Sequence, residues 1–167
     1  VTYLKLSGWK VEGEPYRGKC VLIAAPHTSN WDLPYTLMVA FALRLNIYWM
    51  GKDSIFRAPF RGLMMWLGGI PVDRSQANNL VSASAEALKN AQGALHLVVP
   101  PEGTRSKTRY WKTGFYYIAL GAGVPVVMAY MDYAEKRSGL GPAFMPTGDI
   151  DKDMIAVPIG PPLRMAV

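Results

Sequence analysis

A short apolar run, a polar turn and a longer apolar segment follow one another in Val21-Leu22-Ile23-Ala24-Ala25-Pro26-His27-Thr28-Ser29-Asn30-Trp31-Asp32 and the residues after it. The run at 21–25 is rich in β-branched side chains, which predicts a buried strand. Residues 31–45 are apolar on most faces and long enough for a helix. The polar residues between them, at 28–30, are types whose side-chain oxygens cap helix N-termini. We therefore predict that His27 lies in a strand-to-helix turn.

His27 and Asp32 are a candidate base and carboxylate in this turn. On one continuous helix, side chains five positions apart would diverge by roughly 140°, at about 100° per residue. The two can therefore meet only if His27 precedes the helix. Asp32 in the first turn would then accept a hydrogen bond from one imidazole nitrogen and leave the other nitrogen as a base. The alternative is a histidine that only caps the helix or packs in the interior.

The rest of the chain repeats this alternation of apolar runs, turns and helical segments. Further strands are predicted at 47–50, 95–99 and 124–130, and further helices at 76–92 and 113–122. The polar, Gly- and Pro-rich region 134–153 is expected to form connections and a short strand near 143–145, followed by an edge strand at 157–163. The pattern predicts an α/β fold with a mixed, mostly parallel central sheet covered by helices, and an active site at the strand carboxyl ends.

Composition limits the classes of protein to consider. The 167 residues suit one domain, 1–167, and the single Cys20 predicts a buried structural thiol at a reducing cytosolic face. The formal net charge of +6 favours phospholipid headgroups, phosphorylated substrates or nucleic acid as partners, although a modest positive excess also serves solubility. No apolar run reaches the roughly 20 residues of a spanning helix, and no signal peptide is predicted. Because the first residue is Val1 rather than Met, the numbered chain is also compatible with loss of an N-terminal anchor.

Residues 55–67 combine large apolar side chains with arginines. They include Phe56, Arg57, Phe60, Arg61, Leu63, Met64, Met65 and Trp66. This composition favours an element at the membrane interface, where rings enter the headgroup boundary and guanidinium groups meet phosphate. A lining for an acyl chain and a plain core helix are the alternatives. A second apolar face, formed by Tyr3, Leu4, Leu6 and Trp9, is the other candidate for membrane contact.

Four motifs occur in order between residues 21 and 131. They are His-x-x-x-x-Asp at 27 and 32, Gly68-Gly69-Ile70-Pro71-Val72-Asp73-Arg74, Pro101-Glu102-Gly103-Thr104-Arg105-Ser106, and Val124-Pro125-Val126-Val127. Together they resemble the glycerophospholipid acyltransferases, the family of 1-acylglycerol-3-phosphate acyltransferases. The resemblance implies transfer of a fatty acyl group from acyl-CoA or acyl carrier protein to the hydroxyl of a lysophosphatidic-acid-like acceptor in phospholipid biosynthesis. His27 would be the general base and Asp32 its carboxylate.

The resemblance also implies where the phosphate-bearing acceptor binds. Arg74, Glu102, Gly103 and Arg105 match acceptor-binding positions, and the two arginines have planar forks suited to phosphate oxygens. Thr104 lies in the same motif as Glu102. The predicted substrate-binding set is completed by Lys52 and Lys112, whose ammonium groups would add point charges.

The implied partners are the acyl donor, the lysophospholipid and a membrane surface, with peripheral attachment at the cytoplasmic face. No cofactor is implied, and no metal, because the sequence has no Cys/His cluster with ligand spacing. Nucleic acid is not expected, since no nucleic-acid-binding motif is present. Another glycerolipid or lysophospholipid acceptor, a non-catalytic lipid-binding module and a lipid hydrolase that uses water remain alternatives. The oligomeric state is left open.

Overall fold

The structure is a computed structural model that describes residues 4, 6–24, 32–72, 77–102, 110–156 and 164–165. Nine strands lie in this part of the chain. They are β1 (Lys10–Glu12), β2 (Cys20–Ala24), β3 (Ile47–Lys52), β4 (Gly69–Val72), β5 (His96–Val99), β6 (Tyr110–Trp111), β7 (Val126–Asp132), β8 (Arg137–Phe144) and β9 (Arg164–Met165). The helices are α1 (Asp32–Leu43), α2 (Arg61–Trp66), α3 (Ala77–Asn90), α4 (Gly114–Ala122) and α5 (Ile150–Ala156), with a 3₁₀ turn at Asp53–Ile55.

Seven of these strands form one mixed sheet in the order β1-β8-β7-β2-β5-β3-β4, and β6 pairs with β9. All neighbours in the large sheet are parallel except β7 and β8, which are antiparallel. The predicted α/β class and the mostly parallel sheet are confirmed, as are the strands at 47–50, 95–99 and 124–130 and the helices at 76–92 and 113–122 within a few residues.

Strand β2 lies inside the sheet and is buried on both faces. Val21 and Ile23 belong to the core cluster packed under α3 and α4, whereas Cys20 and Leu22 belong to a second cluster on the opposite face. This division follows from the alternation of side chains along a strand. An apolar run without a polar face was therefore the correct signal for a central parallel strand.

The two interior polar groups predicted in strands are also found. Cys20 is fully buried, and its removal from water raises the pKa of the thiol to about 12. His96 is 2% exposed, and its ring nitrogens lie 3.1 Å from the carbonyl oxygen of Asn46 and 2.7 Å from that of Tyr16. His96 is thus a hydrogen-bonded core residue, as predicted.

The prediction for residues 134–153 was wrong in extent. Strand β8 runs from Arg137 to Phe144, and α5 begins at Ile150 within the region expected to form connections. The pairing of β7 with β8 shifts between Val127 and Ala129, so that Gly141 and Pro142 lie at a bulge. A bulge accommodates the missing N–H of proline, which is why a Gly- and Pro-rich sequence still forms a strand. The edge strand predicted at 157–163 lies outside the described residues.

Two predictions of exposed apolar faces need correction. Phe56 is 4% exposed and stacks on Trp49 with ring centroids 5.6 Å apart, so it belongs to the core rather than to an interface. Leu4 and Trp9 are also buried, in a cluster with Val39 of α1. The N-terminal segment therefore uses these side chains to hold the molecule together, because burial against α1 removes them from water.

Candidate active site

Five parallel strands end at the same edge of the sheet. Their last residues are Ala24, Lys52, Val72, Val99 and Asp132. The three motifs that contain predicted site residues each follow or include one of these ends, whereas the motif at 124–127 lies at the start of β7. Because ligands of open α/β sheets bind outside the strand carboxyl ends, this edge is the candidate active site.

Asp32 lies at this edge in the first turn of α1 and is 6% exposed. A carboxylate buried to this extent has lost most of its water and needs hydrogen-bond donors. The hydroxyl of Tyr133, which directly follows β7, donates to Oδ1 of Asp32 at 2.7 Å. Burial and the Asp32 hydrogen bond raise the pKa of Tyr133 above the ordinary tyrosine value, so the phenol remains a donor at neutral pH.

Two aromatic rings, those of Trp9 and Tyr35, fix the Tyr133 side chain. Its centroid lies 5.4 Å from that of Trp9 and 5.7 Å from that of Tyr35, both in edge-to-face geometry. Trp9 and Tyr35 also contact each other, with centroids 4.8 Å apart. Edge-to-face pairs are a favoured arrangement of rings, so the cluster holds the phenol in place.

Asp32 also borders a cavity of about 180 Å³ between α1 and the sheet. Its walls are mostly apolar. They include Leu22, Leu33, Val39, Trp49, Val98 and Leu140. Lys52, at the end of β3, contributes a cation to the same wall. Among its described lining residues, the cavity therefore combines a long apolar surface with the carboxylate of Asp32 and the side chain of Lys52.

The structure brings the predicted residues Asp32 and Lys52 together on this cavity. The backbone segments that carry Glu102 and Lys112 lie side by side, because the backbone N–H of Lys112 donates to the carbonyl oxygen of Pro101 at 2.7 Å. Pro100, two residues before Glu102, lines the cavity, so the chain leads from the cavity wall to the segment that carries Glu102. The remaining predicted residues, His27, Arg74, Gly103, Thr104 and Arg105, lie outside the described residues.

Sequence reasoning missed Tyr133. Its partner Asp32 is 101 positions away, and no motif contains Tyr133. The usable signal was its place one residue beyond the end of a strand that pairs with β2. Because β7 lies beside β2 and runs parallel to it, a residue just past the end of β7 lies at the same edge of the sheet as the site.

A patch of exposed apolar side chains lies on and next to α2. This α2 patch consists of Phe60, Leu63, Met65 and Trp66, of which Phe60 is 61% and Trp66 76% exposed. Arg57 and Arg61 are exposed beside it. The 3₁₀ turn that precedes this segment ends at Ile55, which lines the cavity. Met64, in contrast, is half-buried and packs on the core, so it is not part of the patch.

The Acyltransferase family model matches residues 9–132, most of the chain. The chain belongs to the acyltransferase family. The 1-acyl-sn-glycerol-3-phosphate acyltransferase of Salmonella typhimurium is 32% identical over an alignment of 135 residues, and the match covers 73% of this chain and 52% of that protein. The enzyme of the same name from Escherichia coli is 31% identical over an alignment of 133 residues, and this match also covers 73% of this chain and 52% of that protein.

The fold of this acyltransferase-family chain is also similar to a solved structure, the 1-acyl-sn-glycerophosphate (LPA) acyltransferase PlsC from Thermotoga maritima. The TM-score is 0.61 at 22% sequence identity, with 86% of this chain and 64% of that one covered. This likeness concerns the fold. The chain spans about half the length of the curated relatives that it matches.

Two features are absent from the described residues. No group of three or more His, Cys, Asp or Glu side chains there is arranged to hold a metal ion. Across the same ranges, no helix is both long enough and apolar enough to cross a membrane.

Proposed function

We propose that this chain transfers a fatty acyl group from acyl-CoA or acyl carrier protein to the hydroxyl of a lysophosphatidic-acid-like acceptor, in phospholipid biosynthesis. Membership of the acyltransferase family supports the reaction class. The names of the relatives, 1-acyl-sn-glycerol-3-phosphate acyltransferases, support the acceptor class. The observation that carries the proposal is the buried Asp32 carboxylate on the wall of an apolar cavity at the carboxyl edge of the sheet.

In the proposed reaction His27 is the general base and Asp32 orients it. A neutral imidazole takes the proton of the acceptor hydroxyl as the oxygen attacks the thioester carbonyl. The tetrahedral intermediate then collapses, the carbon–sulfur bond breaks, and the imidazolium returns the proton to the leaving thiolate. The products are an ester and a free thiol. Between the two proton transfers Asp32 stabilises the imidazolium, and it holds the neutral imidazole in one tautomer.

The cavity is the proposed site for the acyl chain. Each methylene group that moves from water into such an apolar environment contributes about 0.8 kcal/mol. The carboxylate of Asp32 and the end of β3 lie on the cavity walls, so a chain within it would present its carbonyl end to the site edge. Binding energy from the remote chain would thereby position the thioester for attack.

The cationic residues are the proposed acceptor site. Lys52 lies at the carboxyl edge of the sheet, and Lys112 lies beside the turn after β5. Arg74 and Arg105 would bind the acceptor phosphate through their planar forks, and Gly103 and Thr104 would let the backbone and a hydroxyl approach it. Glu102 would orient an arginine or a glycerol hydroxyl.

We further propose that the chain binds the cytoplasmic face of a membrane peripherally through the α2 patch. An acceptor with a long acyl tail stays in the bilayer, so the enzyme must reach the interface to collect it. The α2 patch offers rings for the headgroup boundary and Arg57 and Arg61 for lipid phosphates. The turn that precedes the patch in sequence ends at Ile55, which lines the cavity, so the chain leads from the patch to the proposed acyl site.

A product assay tests the proposed reaction. The purified chain is given acyl-CoA with a labelled acyl group and, in separate reactions, glycerol 3-phosphate, lysophosphatidic acid or other lysophospholipids. We expect labelled ester with lysophosphatidic acid and little free fatty acid. Ester with another acceptor would reassign the substrate, free fatty acid without ester would indicate a hydrolase, and binding without either product would indicate a lipid-binding module.

A further inference from the structure

A hydroxyl group on the residue after β7 connects this strand to the proposed catalytic carboxylate. The Tyr133 hydroxyl donates to Oδ1 of Asp32 at 2.7 Å, across 101 positions of sequence. We propose that Tyr133 is a positioning residue that holds the Asp32 carboxylate in the orientation that His27 requires, an inference that rests on the proposed function of the His27–Asp32 pair. Tyr133 acts through Asp32 and is not assigned any contact with substrate.

The residues around Tyr133 fix the orientation of its hydrogen bond to Asp32. Tyr35 lies three positions after Asp32 on α1, and residues at that spacing share one helix face. Tyr133 therefore meets this face twice, through its hydroxyl at Asp32 and through its ring edge at Tyr35. Trp9 supports the same ring from the N-terminal segment. A contact at two points fixes the rotation of the carboxylate better than either contact alone.

The hydrogen bond also affects how strongly Asp32 attracts a proton on His27. A phenol that donates to a carboxylate takes up part of its negative charge. Without that donor, more of the charge acts on the imidazole, which then keeps its proton to higher pH. Among the described residues, Tyr35 in the aromatic cluster and Lys52 and Tyr130 on the cavity wall are titratable groups on this side of the molecule, and none of them is changed by removing the Tyr133 hydroxyl.

Tyr133→Phe removes the hydroxyl and keeps the ring that packs on Trp9 and Tyr35. Tyr116→Phe is the matched control, because the Tyr116 hydroxyl donates to Oδ2 of Asp153 at 2.6 Å and links α4 to α5 away from the cavity. Both variants lose one tyrosine–aspartate hydrogen bond. A loss of folding stability common to both therefore does not explain a change seen only in Tyr133→Phe.

The first readout is the titration of His27, followed by NMR on histidine-labelled protein. The chain has two histidines, so His27→Ala assigns the two resonances and the buried His96 is an internal reference. We expect the His27 midpoint in Tyr133→Phe to move up by roughly half a pH unit or more, and to stay in place in Tyr116→Phe. An unchanged midpoint in folded Tyr133→Phe would overturn the positioning role.

The second readout is the pH dependence of acyl transfer. In Tyr133→Phe we expect kcat to fall about tenfold, the acidic limb of kcat/KM to move to higher pH, and KM for the acyl donor to change little. A change in KM alone would also overturn the positioning role. Absence of acyl transfer by the wild-type chain would contradict only the proposed function. The His27 titration requires no turnover, so it tests the effect of Tyr133 on His27 independently.

Discussion

The setting of Asp32 at the candidate active site differs from that of an ordinary surface carboxylate. It is 6% exposed, accepts a hydrogen bond from Tyr133, and lies on the wall of an apolar cavity. A charge in such a place acts strongly on its neighbours because little water screens it. This is the environment in which a carboxylate can orient a histidine and stabilise its protonated form.

Arg105 is the residue whose proposed role is most specific to the acceptor. Arg105→Lys keeps the charge but loses the planar fork, so we expect weaker discrimination between a phosphate-bearing acceptor and its dephosphorylated analogue, by about tenfold in kcat/KM. Arg17→Lys is the control, since Arg17 is exposed and precedes β2 at the opposite edge of the sheet. Equal discrimination by Arg105→Lys and the wild-type chain would remove Arg105 from the phosphate site.

At the scale of elements, sequence patterns predicted what depends on local periodicity. The strand β2 and the helices α3 and α4 were predicted because the spacing of apolar residues along the sequence indicates which faces of each element are buried. The full length of strand β8 was not predicted, because Gly141 and Pro142 are residue types typical of loops. In the structure they lie at a bulge in the pairing with β7, which accommodates them within a strand. Phe56 was misplaced because composition does not tell which side of a mixed apolar segment faces the core. Its stacking on Trp49 depends on the approach of two elements.

The α2 patch leads to a prediction about an element as a whole. We expect the chain to bind anionic vesicles more than neutral ones, to lose binding with added salt, and to lose more when Phe60 and Trp66 are both replaced by Ser. The rings supply apolar burial, and each nearby basic residue adds on the order of 1 kcal/mol at an anionic surface. Vesicle co-sedimentation of folded variants measures this.

Ile155→Ser is the control for the vesicle experiment, because Ile155 is 85% exposed but lies on α5. It should leave sedimentation unchanged. Unchanged sedimentation of the Phe60 and Trp66 variant would place the membrane contact elsewhere. A shift in the preferred acyl-chain length with normal vesicle binding would instead assign these rings to the acyl path.

At the scale of the whole molecule, the topology gathers residues that are far apart in sequence. Asp32, Lys52, Pro100 and Met131 all line the cavity, because the parallel strands before or around them end at one edge. The alternation of strands and helices predicted that such an edge exists. It did not predict the Tyr133–Asp32 hydrogen bond, since strand order and the packing of α1 on the N-terminal segment are not recorded in any local pattern.

Two carboxylates contribute to the acid stability of the whole fold. Hydrogen bonds from Arg137 and Tyr130 lower the pKa of Glu12, and hydrogen bonds from Tyr116 and Thr147 lower the pKa of Asp153. Because the pKa of each group is lower in the folded state than in the unfolded state, the ionised group stabilises the fold at pH values above the unfolded pKa. That unfolded pKa is about 4 for such acids. This contribution is lost as the pH falls through the lower folded value.

We therefore expect Asp153→Asn to lower Tm at pH 7 and to differ less from the wild-type chain as the pH falls below about 4. Asp151→Asn, at an exposed position of the same helix, is the control and should have a smaller effect at pH 7. Thermal unfolding followed by circular dichroism across this pH range makes the comparison. A Tm difference for Asp153→Asn that stays constant with pH would contradict the assignment.

The most direct test of the His27–Asp32 mechanism is the rate of ester formation from acyl-CoA and lysophosphatidic acid by His27→Ala, measured on folded protein beside the wild-type chain. A positioned general base contributes about 10²- to 10⁴-fold, so turnover should fall by that factor. Asp32→Asn should lose much of the same rate, and the double variant should lose less than the product of the two single effects. Near wild-type turnover by folded His27→Ala would contradict the mechanism.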